Sequence, residues 1–147
     1  MKSDTDNYLK YWKVIRRYMK VKYEVGQADL DMLLFLYSEE YFTKEKFEEF
    51  DALLSWDKCR FEKLRERGFI APLRTRAIGN KAIYQLTTKS KAMIQSIYRK
   101  LSGEEIPVSQ SQNRMFAKNV SYLDKVYQDM IKKMNVIIKQ QRHPSPK

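Results

Sequence analysis

The side chains best suited to catalysis or metal binding are few in this sequence. The single histidine, His143, lies in the polar, proline-containing segment 141–147, whose composition predicts disorder. The single cysteine, Cys59, has no second cysteine or ordered histidine with which to form a zinc site. A nucleophile activated by histidine would depend on a disordered residue. We therefore predict a protein that is not an enzyme and that uses no metal or cofactor.

A group of carboxylates in the predicted third helix could be mistaken for a metal site. Its members are Glu45, Glu48, Glu49 and Asp51. They fall on the outer face of an amphipathic helix, and neither histidine nor cysteine accompanies them. We expect a solvated acidic surface. A metal-dependent enzyme is the alternative, which stabilisation by calcium or magnesium would reveal.

Composition restricts the class of partner. The 147 residues carry 29 basic and 18 acidic side chains, a net charge of +11, which favours nucleic acid or another polyanion. The lone cysteine and an N-terminus without the apolar core of a signal peptide predict a cytoplasmic protein. The longest apolar run, residues 32–37, is far shorter than the roughly 20 residues that span a bilayer. No membrane partner is expected.

The charge is unevenly distributed along the chain. Net charges are +4 for residues 1–26, −6 for 27–54, +9 for 55–103 and +4 for 104–147. Because nucleic-acid binding needs positive charge gathered on one surface, the sequence predicts a basic face in the middle of the chain.

Apolar residues at steps of three and four predict the first three helices. They cover residues 7–23, roughly 28–38, and a third helix for which Thr43 is the N-cap. The second helix is apolar on most sides, which predicts a buried position. The third should bury Phe47, Phe50 and Leu54.

A fourth helix should follow a cap at Ser55 and end before Gly68. If Phe61 points inward, the opposite face is basic and aromatic. That outward face comprises Trp56, Cys59, Arg60, Lys63 and Arg67. Such a face suits a helix lying in the major groove of DNA, where Arg and Lys reach phosphates and guanine edges.

Two short strands around Gly79-Asn80 come next, and Pro72 restricts the first of them to an edge. Thr87 or Thr88 then caps a fifth helix that ends at Gly103. Each of the four glycines, at 26, 68, 79 and 103, lies at the end of a predicted helix or in the predicted turn between the strands. No phosphate-binding glycine loop is therefore expected.

Residues 102–114 have the low apolar content of a linker, and a long last helix follows. Its apolar residues are spaced as an unbroken heptad seam of Phe116, Val120, Leu123, Tyr127, Met130, Met134 and Ile137. Such a seam needs a partner helix. We expect the first helix and a second copy of the chain to supply it; the alternative is packing against its own domain only.

The order of elements resembles the MarR-type family of winged helix-turn-helix regulators. Leu64-Arg65-Glu66-Arg67-Gly68-Phe69-Ile70 is similar to that family's junction between recognition helix and wing. Leu86-Thr87-Thr88-Lys89-Ser90 is similar to its strand-to-helix junction, usually Leu-Thr-x-Lys-Gly. The resemblance covers about residues 7–140.

The resemblance implies a homodimeric, sequence-specific transcriptional regulator, a repressor in most members, that binds an inverted repeat in double-stranded DNA. The expected DNA-binding residues are Ser55, Trp56, Lys58, Cys59, Arg60, Lys63, Arg67, Arg74, Arg76 and Lys81. The expected dimerisation residues are Tyr8, Tyr11, Trp12 and Ile15, together with the seam of the last helix. Members often release DNA on binding a small aromatic molecule or an oxidant, and Tyr8, Trp12 and Tyr98 could line a site for such a ligand.

The predicted fold is mainly α with a small two- or three-stranded β-wing, a winged helix-turn-helix with N- and C-terminal dimerisation helices. Its parts are a dimerisation helix (1–26), the DNA-binding domain (27–103), a linker with the second dimerisation helix (104–140) and a disordered tail (141–147).

The sequence departs from the family at the tip of the wing. Where members usually carry Asp-x-Arg, this chain has Ile78-Gly79-Asn80, so phosphate contacts would fall to Arg74, Arg76 and Lys81. The acidic third helix is a second departure. An alternative interpretation is an architectural or protein-docking winged-helix module, encoded by a phage or mobile element, that lacks sequence-specific DNA readout.

Overall fold

The computed structural model describes residues 8–54, 57–78 and 81–142, without the side chains of 74–78 and 142. Ser55, Trp56, Gly79, Asn80 and residues 143–147 of the predicted tail, with His143, lie outside the described residues. The first two residues of that tail, Gln141 and Arg142, belong to the last helix and are not disordered. The helices are α1 (Tyr8–Tyr23), α2 (Gln27–Tyr37), α3 (Lys44–Leu53), α4 (Arg60–Glu66), α5 (Thr88–Leu101) and α6 (Tyr122–Arg142). The strands are β1 (Phe42–Thr43), β2 (Ile70–Ile78) and β3 (Lys81–Leu86).

The chain forms two compact units, and the division falls within α5. Unit 1 comprises Met1–Glu24 and Ser96–Lys147, and unit 2 comprises Val25–Gln95.

Unit 2 is a winged helix. Three helices, α2 to α4, precede an antiparallel sheet of order β1-β3-β2. Pro72 pairs with Tyr84 on the edge strand β2, as expected of a residue that has no N–H to donate. Leu30, Met32, Leu33 and Leu36 of α2 are buried, which confirms the predicted central helix. The predicted mainly α fold with a small β-wing is confirmed, with three strands in the sheet.

Local hydrogen bonds explain where α3 begins and how β3 joins α5. The Thr43 hydroxyl accepts from the Lys46 N–H at 3.2 Å, which is the predicted N-cap. Gly68 follows α4 with φ +80°, a conformation that glycine adopts without strain. The Thr87 hydroxyl donates to the Gly68 carbonyl at 2.6 Å, and the Ser90 hydroxyl donates to the Phe69 carbonyl at 2.6 Å.

The prediction that Arg60 faces outward is wrong. Its side chain is only 5% exposed, and its guanidinium pairs with Asp51 and, at 2.8 Å, with Asp29. Because residues on a helix are spaced by about 100°, Arg60 and Phe61 lie on either side of Leu64, and all three are buried. The inward direction of α4 therefore passes through Leu64. Asp51, expected on a solvated surface, is buried as well.

Unit 1 is built on α1 and α6. The buried residues of α1 are Val14, Ile15, Tyr18 and Met19. Those of α6 are Ile131, Met134, Asn135 and Ile138. Arg17 Nη2 lies 2.8 Å from Asp124 Oδ1 and joins the two helices.

The predicted helical seam begins too early. α6 starts at Tyr122, Val120 precedes it, and Phe116 belongs to a short 3₁₀ helix, Arg114–Phe116. Asn113 caps that 3₁₀ helix by accepting from the Met115 N–H at 3.0 Å. Because this cap and the burial of Met115 fix the chain here, the continuous helix cannot form.

The segment expected to be a linker is packed against α6. The Asn135 side chain accepts from the Ile106 N–H at 3.0 Å and donates to the Ile106 carbonyl at 2.8 Å. Ile106 itself is buried. One polar residue of α6 therefore satisfies both backbone groups of a residue whose side chain is apolar.

We predict that Arg60→Ala destabilises the protein by about 3–5 kcal/mol, because it leaves the carboxylate of Asp51 buried without its cation. Arg65→Ala is the matched control, because Arg65 is exposed and its ion pair with Glu62 is long, at 3.9 Å. This substitution should cost about 1 kcal/mol or less. Urea unfolding followed by circular dichroism measures both. Equal losses in the two variants would contradict a structural role for Arg60.

Candidate nucleic-acid interface

The exposed side of α4 and the residues that flank it carry four of the ten DNA-binding residues predicted from the sequence. Lys58, Cys59, Lys63 and Arg67 are exposed, as a groove-facing surface requires. Arg60 does not share this surface, and the predicted residues Ser55 and Trp56 lie outside the described part of the chain. Four of the seven residues predicted for this helix are therefore accessible to a partner.

The outward face of α4 is less basic than the sequence suggested. Glu62 and Glu66 are exposed beside Lys63, and Lys63 Nζ lies 3.8 Å from Asp57 Oδ2. Because Arg60 points inward, the side of α4 that carries these two glutamates faces solvent. The surface combines hydrogen-bond acceptors with donors, and it is not a uniform cationic strip.

The second part of the interface is the β2–β3 hairpin. Arg74 and Arg76 are on β2, but their side chains lie outside the described residues. Lys81, at the start of β3, is exposed, and its Nζ lies 2.6 Å from Glu45 Oε2. Glu45 of the acidic third helix thus contacts the hairpin next to its turn and offsets one of its cations.

Sequence reasoning missed one cation at the end of α4. Lys89 Nζ donates to the Arg67 carbonyl at 3.1 Å and lies 4.3 Å from the centroid of the Phe69 ring. The Arg67 guanidinium lies 5.1 Å from the same ring. A lysine at a helix C-terminus compensates the exposed carbonyls there. The Thr-Lys-Ser sequence at the start of α5 was the available signal.

The distribution of charge between the units corrects the expectation of a basic middle. Unit 2 has 12 basic and 11 acidic side chains, a net charge of +1, whereas unit 1 has 17 basic and 7 acidic, a net charge of +10. The acidic segment 27–54 folds into the same unit as the basic residues that follow it. Three of its carboxylates pair with them, namely Asp29, Glu45 and Asp51.

The residues predicted for dimerisation differ in exposure. Ile15 and Met134 are buried within their own unit, and Tyr8 and Leu123 are exposed. The others are half-buried: Tyr11, Trp12, Phe116, Val120, Tyr127, Met130 and Ile137. A groove of about 120 Å³ between α1 and α6 is lined by Tyr11, Val14, Met130, Met134 and Ile137, with Lys10 and Lys133.

Within the described ranges, no three histidine, cysteine, aspartate or glutamate side chains are arranged to hold a metal ion. In the same ranges, none of the helices has the length and apolar character needed to cross a membrane.

Comparison with known proteins yields one structural likeness. No family model matches the chain, and no curated protein matches it. A search of solved structures returns the crystal structure of a mutant MarR from E. coli complexed with operator DNA. The alignment covers 85% of this chain and 84% of that chain, at 15% sequence identity and a TM-score of 0.45.

Proposed function

We propose that the protein is a homodimeric, sequence-specific DNA-binding transcriptional regulator of the MarR type, a cytoplasmic repressor without catalytic activity. The observation that carries the proposal is the exposed side of α4, next to the β2–β3 hairpin of a winged-helix unit. This combination presents a helix to the major groove and a wing to the adjacent backbone.

Lys63 on α4 and Arg67, the C-cap residue that follows it, are four residues apart, so they project from the same side of the helix. In the major groove they would donate to guanine edges or phosphates, while Glu62 or Glu66 would accept from cytosine. Arg60 has a different role in this proposal. Its ion pairs fix the position of α4 against α2 and α3, so it positions the contacting residues and does not touch DNA.

The wing would contribute phosphate contacts through Arg74, Arg76 and Lys81. Lys81 and Glu45 are both more than half exposed, and an exposed ion pair contributes about 1 kcal/mol or less. A DNA phosphate can therefore replace Glu45 as the partner of Lys81 at little cost.

Dimerisation would use apolar residues of unit 1 that its own core leaves exposed or half-exposed. Leu123, Met130 and Ile137 follow one another at heptad spacing along one side of α6, and α1 contributes Tyr8, Tyr11 and Trp12. A two-fold dimer would place its recognition helices in successive major grooves, and the operator would be an inverted repeat.

A small aromatic ligand near α1 is a subordinate part of the proposal. Trp12 is half-buried with the Arg16 guanidinium 5.9 Å from its ring centroid, whereas about half of the surface of Tyr8 and of Tyr98 is exposed. An aromatic anion could stack on this surface beside Arg16.

The second candidate is an architectural module that binds nucleic acid without sequence preference. The net charge of +10 on unit 1 and +1 on unit 2 favours it. Long-range attraction to DNA would then come from the unit that lacks the winged helix.

Selection of binding sites from random and genomic DNA at near-physiological salt separates the two candidates. We expect enrichment of an inverted repeat whose half-sites lie about one helical turn, roughly 10 base pairs, apart. Recovery of DNA without any enriched sequence would favour the architectural module.

The two parts of the interface should respond differently to charge removal. Arg67→Ala should cost about 1–3 kcal/mol on the selected site and relax its sequence preference, if the guanidinium contacts a base. Lys81→Ala should weaken all sequences equally and reduce the salt dependence of binding. Lys125→Ala, an exposed position on α6, is the control. Fluorescence anisotropy at several salt concentrations measures all three, and three identical responses would contradict the assignment.

Light scattering after size exclusion tests the dimer. The wild-type chain should have twice the mass of the 17.7 kDa protomer, and Leu123→Glu should yield monomers because it buries an unpaired charge in the interface. Val136→Glu is the matched control, since Val136 is equally exposed but projects from a different side of α6. A monomeric wild-type protein would contradict this part of the proposal.

A further inference from the structure

Unit 1 contains a cavity of about 570 Å³ that shares no residue with the proposed DNA interface. It lies between α1, the last turns of α5 and the segment that precedes α6. Its lining residues are Tyr18, Lys22, Ser96, Arg99, Lys100, Glu104, Pro107, Ser111, Gln112 and Arg114. We refer to this site as the basic cavity.

Positive charge exceeds negative charge in the basic cavity. Four lining residues are cationic, Lys22, Arg99, Lys100 and Arg114, and Glu104 is the one carboxylate among the lining residues. Glu104 accepts from Arg99 Nε at 3.0 Å and from Lys100 Nζ at 2.7 Å. The hydrogen bond from Lys100 is the main reason that the pKa of Glu104 is lowered. One carboxylate is thus shared by two cations.

Lys100 is the most constrained of the four cations. Its side chain is only 5% exposed, and its ammonium also donates to the Ser96 hydroxyl at 3.1 Å. The ammonium groups of Lys100 and Lys22 lie 5.6 and 5.7 Å from the centroid of the same Tyr18 ring. Glu104 and Ser96 compensate this buried charge, so Lys100 is held in place beside the more exposed cations Arg99 and Arg114. An anion entering the cavity would meet all three positive charges.

Arg114 can exchange its present partner for a ligand. It pairs with Glu24, and both side chains are about two-thirds exposed, so the pair contributes little to stability. The Arg114 guanidinium can therefore leave Glu24 and bind a phosphate with little loss of stability.

We propose that the basic cavity binds a small phosphorylated molecule, with its phosphate held by Arg99, Lys100 and Arg114. A phosphate monoester carries about −1.5 to −2 charges at neutral pH, which suits a lining with four cations and one carboxylate. The volume lies within the roughly 300–1,000 Å³ of ligand pockets in general. Ser111 and Gln112 are exposed at the site, where they can hydrogen-bond a polar organic group. The inference goes beyond the proposed function, because it does not depend on whether the chain binds DNA.

Isothermal titration calorimetry of the full chain with inorganic pyrophosphate, at constant ionic strength, tests the site. We expect saturable binding of one pyrophosphate per protomer. Arg99→Gln with Arg114→Gln should weaken it by about tenfold or more, since charge-assisted hydrogen bonds are lost. Both arginines are more than half exposed, so the double variant should fold, which thermal unfolding verifies.

Lys118→Gln with Lys125→Gln is the control for general charge effects. It removes two positive charges from exposed positions of unit 1 outside the cavity, and its affinity for pyrophosphate should stay within about twofold of wild type. Absence of saturable binding, or equal weakening in the two double variants, would overturn the proposal.

A short random DNA duplex distinguishes the source of the phosphate. If the arginine variant loses affinity for the duplex but keeps its affinity for pyrophosphate, the cavity belongs to a nucleic-acid surface and the small-ligand proposal fails.

Discussion

Arg60 lies where α2, α3 and α4 of unit 2 meet, and its guanidinium lies between the carboxylates of Asp29 and Asp51. Two further contacts extend the network, because Asp51 also accepts from the Asp57 N–H at 3.2 Å and Asp57 accepts from the Cys59 N–H at 2.9 Å. Arg60, together with the buried side chains of Phe61 and Leu64, therefore fixes the rotation of α4 about its axis. This rotation in turn determines that Lys63 and Arg67 face solvent together with Glu62 and Glu66.

The same network accounts for part of the small net charge of unit 2, because it contains three carboxylates and one cation. A buried arginine requires carboxylates, and α2 and α3 supply them. The overall charge of +11 resides almost entirely on unit 1, which holds 17 basic and 7 acidic side chains. In the function proposed above, long-range attraction to DNA would come from unit 1 and recognition from unit 2.

Features set by local chemistry could be predicted from the sequence. The Thr43 cap, the left-handed Gly68 and the edge position of Pro72 each depend on one residue and its neighbours, and the structure has all three. The burial of Arg60 depends on carboxylates 9 and 31 residues earlier in the chain. Helical periodicity alone placed this residue at the edge of the exposed face, and nothing local indicated its partners.

Segment 102–114 shows a second limit of composition-based prediction. Low apolar content suggested a linker, but the buried side chains of Ile106 and of the adjoining Met115 anchor it. Asn113 and Asn135 satisfy backbone groups that this packing would otherwise leave unpaired. Ordering this segment brings Glu104 and Arg114 beside the end of α5. The basic cavity thus depends on two asparagines, neither of which lines it. Its walls come from α1, α5 and an irregular segment, and sequence spacing does not predict a site of this kind.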